Sequence, residues 1–160
     1  MRHSTAVDPY EAPTDETRWL TSEGRARMRV VTPMLRDALG PITHMFTSSL
    51  VRAVQTADLL GEGLGFQGAI TVHRALAPEF GTTAQALSVL EGLDPKATVV
   101  LVTHAPKVRV LAGHLSGEGK LPGFRTASAC CIDIDRNGAG KIAFWLDPTA
   151  AQILSTPPTH

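Results

Sequence analysis

Cysteine is almost absent from this chain. Only Cys130 and Cys131 occur in 160 residues, and they are adjacent. Neighbouring side chains on a strand point to opposite faces, so these two form no disulfide with each other. They read as two small buried residues of a protein in a reducing compartment, the cytoplasm, and a disulfide scaffold is excluded. An excess of charge is missing too, because fifteen basic residues balance fifteen acidic ones. That balance gives no electrostatic footprint for nucleic acid or an anionic membrane, yet leaves room for a local basic pocket. No apolar run approaches the roughly 20 residues that span a bilayer. The N-terminal segment is polar and acidic and carries no secretory signal. No glycine-rich phosphate loop of the Walker type occurs. His44, His73 and His114 have no partners at metal-ligand spacing, so no metal or other cofactor is expected. Trp19 and Trp145 are assigned to packing.

What is present is alternation of strand-like and helix-like segments. Val99 to Val102 is an apolar run between Asp94-Pro95 and His104-Ala105-Pro106. It reads as a strand buried on both faces of a parallel sheet. Val108, Val110, Leu111 and Leu115 then follow at helical spacing, with a stop near Ser116-Gly117. The same plan predicts a strand over 42–47 and a helix over 50–60 ending at Gly61 and Gly63. Residues 71–76 give another strand candidate, and Thr82 or Thr83 caps a helix reaching about Leu90. Residues 22–39 look helical, with Gly24 and Pro33 as weaknesses, and Pro33 is expected to kink or divide the helix. Residues 127–134 and 142–146 read as strands joined by the turn Asp135-Arg136-Asn137-Gly138. The expectation is an α/β three-layer sandwich, with a mainly parallel central sheet and helices on both faces. Residues 1–148 form one domain, and 149–160, with Pro157-Pro158, form a loose tail.

Ligands of open α/β sheets sit beyond the carboxyl ends of the strands. Arg52 and His104 both fall just past such ends, where helix N-termini also favour anions. Arg2 and His3 complete a set of two arginines and two histidines. Arginines are planar, permanently charged and multidentate, which suits the oxygens of a phosphoryl group. A neutral imidazole nitrogen can attack phosphorus.

Arg2-His3, Ser48-x-x-x-Arg52-Ala53-x-Gln55-Thr56 and the strand-final Thr103-His104 resemble the histidine phosphatase superfamily. The short length and the segment Arg18-Trp19-Leu20-Thr21-x-x-Gly24 resemble its SixA-type phosphohistidine phosphatases. The resemblance runs from Arg2 to about Pro148 and implies a phosphoglycerate-mutase-like fold. It makes His3 the nucleophile and places Arg2, Arg18, Arg52 and His104 on the phosphoryl group. Two departures stand out. Ser4 replaces the Gly or Ala that usually follows the nucleophile, and could add a hydrogen bond to the phosphate. Ser49 replaces the usual Pro after the strand-final Ser. Larger members of the superfamily use a carboxylate as general acid, and Glu79 in Leu76-Ala77-Pro78-Glu79-Phe80-Gly81 falls in about that region.

The implied activity is that of a metal-independent phosphatase working through a covalent phosphohistidine. Its substrate would be phosphohistidine on a signalling protein, or a small phosphate ester. A mutase-like phosphotransferase and a non-catalytic phosphate-binding domain are the alternatives. In this family the Arg-His pair follows an apolar central strand, and only Met1 precedes it here. An upstream first strand is therefore expected to lie outside this sequence; the alternative is a true start at Met1 with a compromised site.

Overall fold

The computed structural model describes residues 1–158, so Thr159 and His160 of the expected tail lie outside the described residues. In chain order the elements are α1 (Ser22–Ala38), β1 (His44–Thr47), α2 (Val51–Leu64), β2 (Ile70–Val72), α3 (Thr83–Leu87), β3 (Val99–Val102), α4 (Lys107–Ser116), β4 (Ala129–Ile134), β5 (Gly140–Asp147) and β6 (Gln152–Leu154).

Among the described residues the strands form two three-stranded sheets. The first, β2-β1-β3, is parallel throughout, with Met45 opposite both Ile70 and Val100. The second, β4-β5-β6, is antiparallel. Met1–His3 stand between them. Arg2 bridges Thr103 in parallel, the His3 amide donates to the Thr103 carbonyl, and the Arg2 amide donates to the Ser128 carbonyl. The Ala127 amide returns a bond to the His3 carbonyl. The candidate nucleophile is thus held by backbone bonds from both sheets.

Alternation along the strands divides the core into two faces, as period-2 side-chain geometry requires. Met45, Val102, Phe144 and Leu146 pack with Met28, Val31 and Leu35 of α1 and with Ala53, Ala57 and Leu60 of α2. On the opposite face Trp145 packs with Val108 and Ala112 of α4, and Phe46 lies against Leu76, Ala86 and Leu111. Helices therefore cover both faces of the strands, in the expected α/β three-layer arrangement.

Several boundaries differ from the sequence reading. α1 runs unbroken through Pro33. The proline removes one backbone bond, but burial of Met28, Val31 and Leu35 holds the turns on either side. α2 passes through Gly61 and Gly63, which face Met45 and Thr32 of neighbouring elements, and stops at Gly65, whose φ of 68° is left-handed. β2 ends at Val72 and the chain tightens into a 3-10 turn over Arg74–Leu76. β3 is fully buried only at Val102. Val99 to Leu101 are only partly buried, short of the full enclosure expected, and the edge of β3 away from β1 is paired by Met1–His3. The segment expected as a loose tail supplies β6, which pairs with β5 through Trp145 opposite Leu154. No helix among the described residues is long and apolar enough to cross a membrane.

Candidate active site

Arg52 lies in the first turn of α2, beyond the end of β1, and is buried. His104 follows Thr103 at the end of β3 and is also buried. Its ring centroid stands 4.8 Å from that of His3. Arg2, Arg52, His3 and His104 are thus gathered where the carboxyl ends of β1 and β3 meet the start of α2 and α4.

His3 is held in one tautomer. Its Nδ1 lies 2.6 Å from the Ser4 carbonyl oxygen, which can only accept. Nδ1 therefore carries the proton, and Nε2 keeps its lone pair. Burial, offset in part by this bond and reinforced by Arg52, Arg2 and Arg18, pushes His3 down to about 4. Burial, His3 and Arg52 push His104 down to about 3. Both rings are neutral at neutral pH, so an attacking lone pair on His3 needs no prior deprotonation.

His104 Nε2 lies 2.5 Å from the Ser48 hydroxyl, while its Nδ1 is buried without a hydrogen-bond partner among the described residues. Arg2 donates from Nη1 to the Phe124 carbonyl at 2.7 Å, and its Nε is likewise buried and unpartnered. Burial chiefly, and the neighbouring Arg52 charge in addition, lower the Arg2 pKa. Unpaired buried polar atoms are rare, and these two stand beside a candidate nucleophile. An oxyanion would satisfy them.

The remaining residues of the Ser48-to-Thr56 segment build the frame. Thr56 Oγ1 accepts the Ser4 amide at 3.0 Å, and Gln55 Oε1 accepts the Leu20 amide at 2.8 Å. Ala53 is fully buried in the core. α2 thereby fixes both the segment after His3 and the segment after Arg18. Ser4 does not reach the pocket as expected. Its hydroxyl is fully buried and donates to the Gly24 carbonyl at 2.8 Å. Close packing of 4–5 against the start of α1 diverts it, since a Cβ on Gly24 would lie 2.1 Å from the Thr5 carbonyl oxygen.

Glu79 is exposed and makes no hydrogen bond or ion pair with Arg2, His3, Arg52 or His104 among the described residues. Its segment is anchored by backbone instead. Lys107 Nζ donates to the Ala75, Ala77 and Phe80 carbonyls, and Thr103 Oγ1 donates to the Leu76 carbonyl. The carboxylate that does meet the arginines is Asp15. It accepts from Arg18 Nη1 at 2.8 Å and from Arg52 Nη2 at 2.9 Å. The bond from Arg18 holds this carboxyl below the usual carboxylate range against its partial burial, and Arg52 adds to the effect. The sequence reading does not single out Asp15. Its spacing of three residues before Arg18 was the available signal. Among the described residues, no group of three or more His, Cys, Asp or Glu could hold a metal ion.

The profile of the Histidine phosphatase superfamily (branch 1) matches residues 1–82, half of the chain and more. The chain belongs to this superfamily. It is an α/β phosphatase with the phosphoglycerate-mutase-like fold. Phosphohistidine phosphatase SixA of Escherichia coli (strain K12) is 28% identical over 92% of this chain and 91% of its own length. The structure of the protein histidine phosphatase SixA complexed with tungstate superposes with a TM-score of 0.85 at 26% identity, covering 95% of this chain and 97% of that one. A SixA-type structure from Agrobacterium tumefaciens matches with a TM-score of 0.78 at 20% identity, over 92% and 95% of the two chains, a likeness of fold alone. Within the superfamily match fall Arg2, His3, Asp15, Arg18, Ser48 and Arg52; His104 lies beyond it.

Proposed function

We propose that this phosphatase removes the phosphoryl group from phosphohistidine on a signalling protein, through a covalent phosphohistidine on His3. The observation that carries the reading is the His3 tautomer: Nδ1–H is tied to the Ser4 carbonyl at 2.6 Å, leaving the Nε2 lone pair free beside Arg2, Arg18 and Arg52. That lone pair attacks phosphorus. The bond from phosphorus to the substrate nitrogen breaks, and its electron pair leaves with the substrate imidazole. Arg2, Arg18, Arg52 and His104 hold the equatorial oxygens, and this stabilisation is most of what phosphoryl transfer requires. Water then attacks phosphorus, the bond to Nε2 breaks, and phosphate and a free His3 result.

The acid-base inventory favours a nitrogen leaving group over an alkoxide. Asp15 is held ionised by arginines, and Glu79 stands exposed outside the cluster. Neither is arranged as a proton donor. An imidazole leaves with less protonation than an alkyl oxygen needs. The similarity to phosphohistidine phosphatase SixA over nearly the whole chain supports the same substrate class. The free thiols of Cys130 and Cys131 suit a reducing compartment such as the cytoplasm. Small phosphate esters are the other substrates this pocket chemistry admits.

The test is to trap the phosphoenzyme with chelator present and weigh the intact protein at neutral pH. The wild-type chain should gain one phosphoryl group and His3→Ala none. A label that persists in His3→Ala would remove His3 from the mechanism.

A further inference from the structure

Asp15 occupies the two guanidiniums that the reading above gives to the phosphoryl group. Its carboxylate takes Arg52 Nη2 at 2.9 Å and Arg18 Nη1 at 2.8 Å, and its backbone carbonyl takes Arg52 Nη1 at 2.7 Å. Both terminal nitrogens of Arg52 are therefore engaged by one residue. Arg18 has its Nε committed to the Val7 carbonyl at 2.8 Å. Three oxygen contacts converge on two arginines, which is the pattern a phosphoryl group would itself present. Asp15 takes one N–H of each of these Nη atoms, so a phosphoryl group reaching them must approach the carboxylate closely, and the two like charges repel.

Which partner gives way follows from exposure. The Arg52 side chain is 6% exposed and fixed by its helix, whereas the Asp15 side chain is 57% exposed. Asp15 sits in a 3-10 turn, Asp15–Thr17, whose bonds are local: the Thr17 amide to the Thr14 carbonyl, and the Arg18 amide to the Asp15 carbonyl. Beyond these, the tie of Asp15–Thr17 to the core is the set of Arg52 contacts to Asp15 already described. A single exposed carboxylate gains little from such pairs, while a phosphoryl dianion brings more charge and three oxygens.

We propose that Asp15 is an internal stand-in for the phosphoryl group, one that substrate must displace from Arg18 and Arg52 by moving the 14–17 turn outward. Weakly held anions are thereby kept off the arginines, and only a ligand whose contacts outweigh those of Asp15 takes the site. The inference rests on the phosphoryl-pocket reading.

Calorimetric titration of the full chain with tungstate tests it, at constant pH and ionic strength. Asp15→Asn keeps the size and the backbone carbonyl but removes the charge. It should bind tungstate roughly fivefold more tightly than wild type, equivalent to about 1 kcal/mol. Asp15→Ala should shift the same way. In the wild-type chain, tungstate should speed hydrogen exchange at the Thr17 and Arg18 amides. Weaker or unchanged binding in both variants, or unchanged exchange at these amides, overturns the proposal and leaves Asp15 as a fixed anchor of the arginines. If tungstate binds neither wild type nor the variants, the phosphoryl-pocket reading falls with it.

Discussion

The Ser48 hydroxyl and His104 Nε2 lie 2.5 Å apart, both fully enclosed, at the junction of two parallel strands. Ser48 follows the end of β1 and His104 follows the end of β3 by two residues. The strands pair in register, with Thr47 opposite Val102, and the Ser48 amide extends the ladder to the Val102 carbonyl. Sheet register thus delivers a hydroxyl to the histidine, and that contact orients the ring toward His3.

Replacing Ser48 by Ala should lower kcat/KM by roughly tenfold, about 1.4 kcal/mol of transition-state stabilisation. The phosphoenzyme should still form, because His3 keeps its own tie to the Ser4 carbonyl. Stability should fall by about 1 kcal/mol, since a buried imidazole nitrogen loses its partner. Steady-state kinetics and urea denaturation measure both effects. An unchanged kcat/KM would mean that packing alone orients His104.

Acid should destabilise the protein through its two histidines. Burial keeps His3 at about 4 and His104 at about 3 in the folded chain, against an ordinary 6.5. As pH falls below about 6.5 the unfolded chain takes up protons on these rings, while the folded one does not until pH nears 4. The unfolded state then binds more protons, so stability is complete above about pH 6.5 and declines toward pH 4. By about pH 4 the loss is on the order of 3 kcal/mol for each ring. Urea midpoints between pH 7.5 and 4.5 should show the slope, and His104→Gln should flatten it. An equal slope in the two proteins would place the effect on other groups.

Gly24→Ala should be costly although the position opens a helix, where alanine is normally favoured. The added Cβ would lie 2.1 Å from the Thr5 carbonyl oxygen and 3.1 Å from its amide nitrogen, both backbone atoms. Segment 4–5 would have to move, straining the Ser4 bond to Thr56 and through it His3. A loss of about 2 kcal/mol or more is expected, together with reduced turnover. Thermal denaturation and a phosphatase assay measure these. A neutral or stabilising outcome would show that α1 can shift without disturbing the nucleophile.

Particular residues show how far the sequence could be read. The apolar run at 99–102 located β3, and the histidine after it stands where the strand-end rule placed it. The turn at 135–138 joins β4 to β5, with Gly138 at a φ of 82°. Cys130 and Cys131 do face opposite ways: one packs beside Trp145, the other toward the α1 and α2 side. Ser4 and Glu79 were less legible. Their chemistry is right for a phosphate pocket, but a hydroxyl or carboxylate does not announce where it points. Ser4 turned to a carbonyl brought near by the tight packing at Gly24, and Glu79 followed a backbone anchored by Lys107.

The sequence by itself determined the α/β alternation and the order of the histidines and arginines, because period, polarity and motif spacing are local properties of the chain. Tertiary structure alone decided which carboxylate meets the arginines, which ring nitrogen of His3 is free and how both sheets hold Met1–His3. Each of these depends on groups far apart in sequence, such as Asp15 with Arg52 or Arg2 with Ser128, that approach only after the core has packed. The segment that opens the chain therefore owes its chemistry to backbone partners a hundred residues and more away.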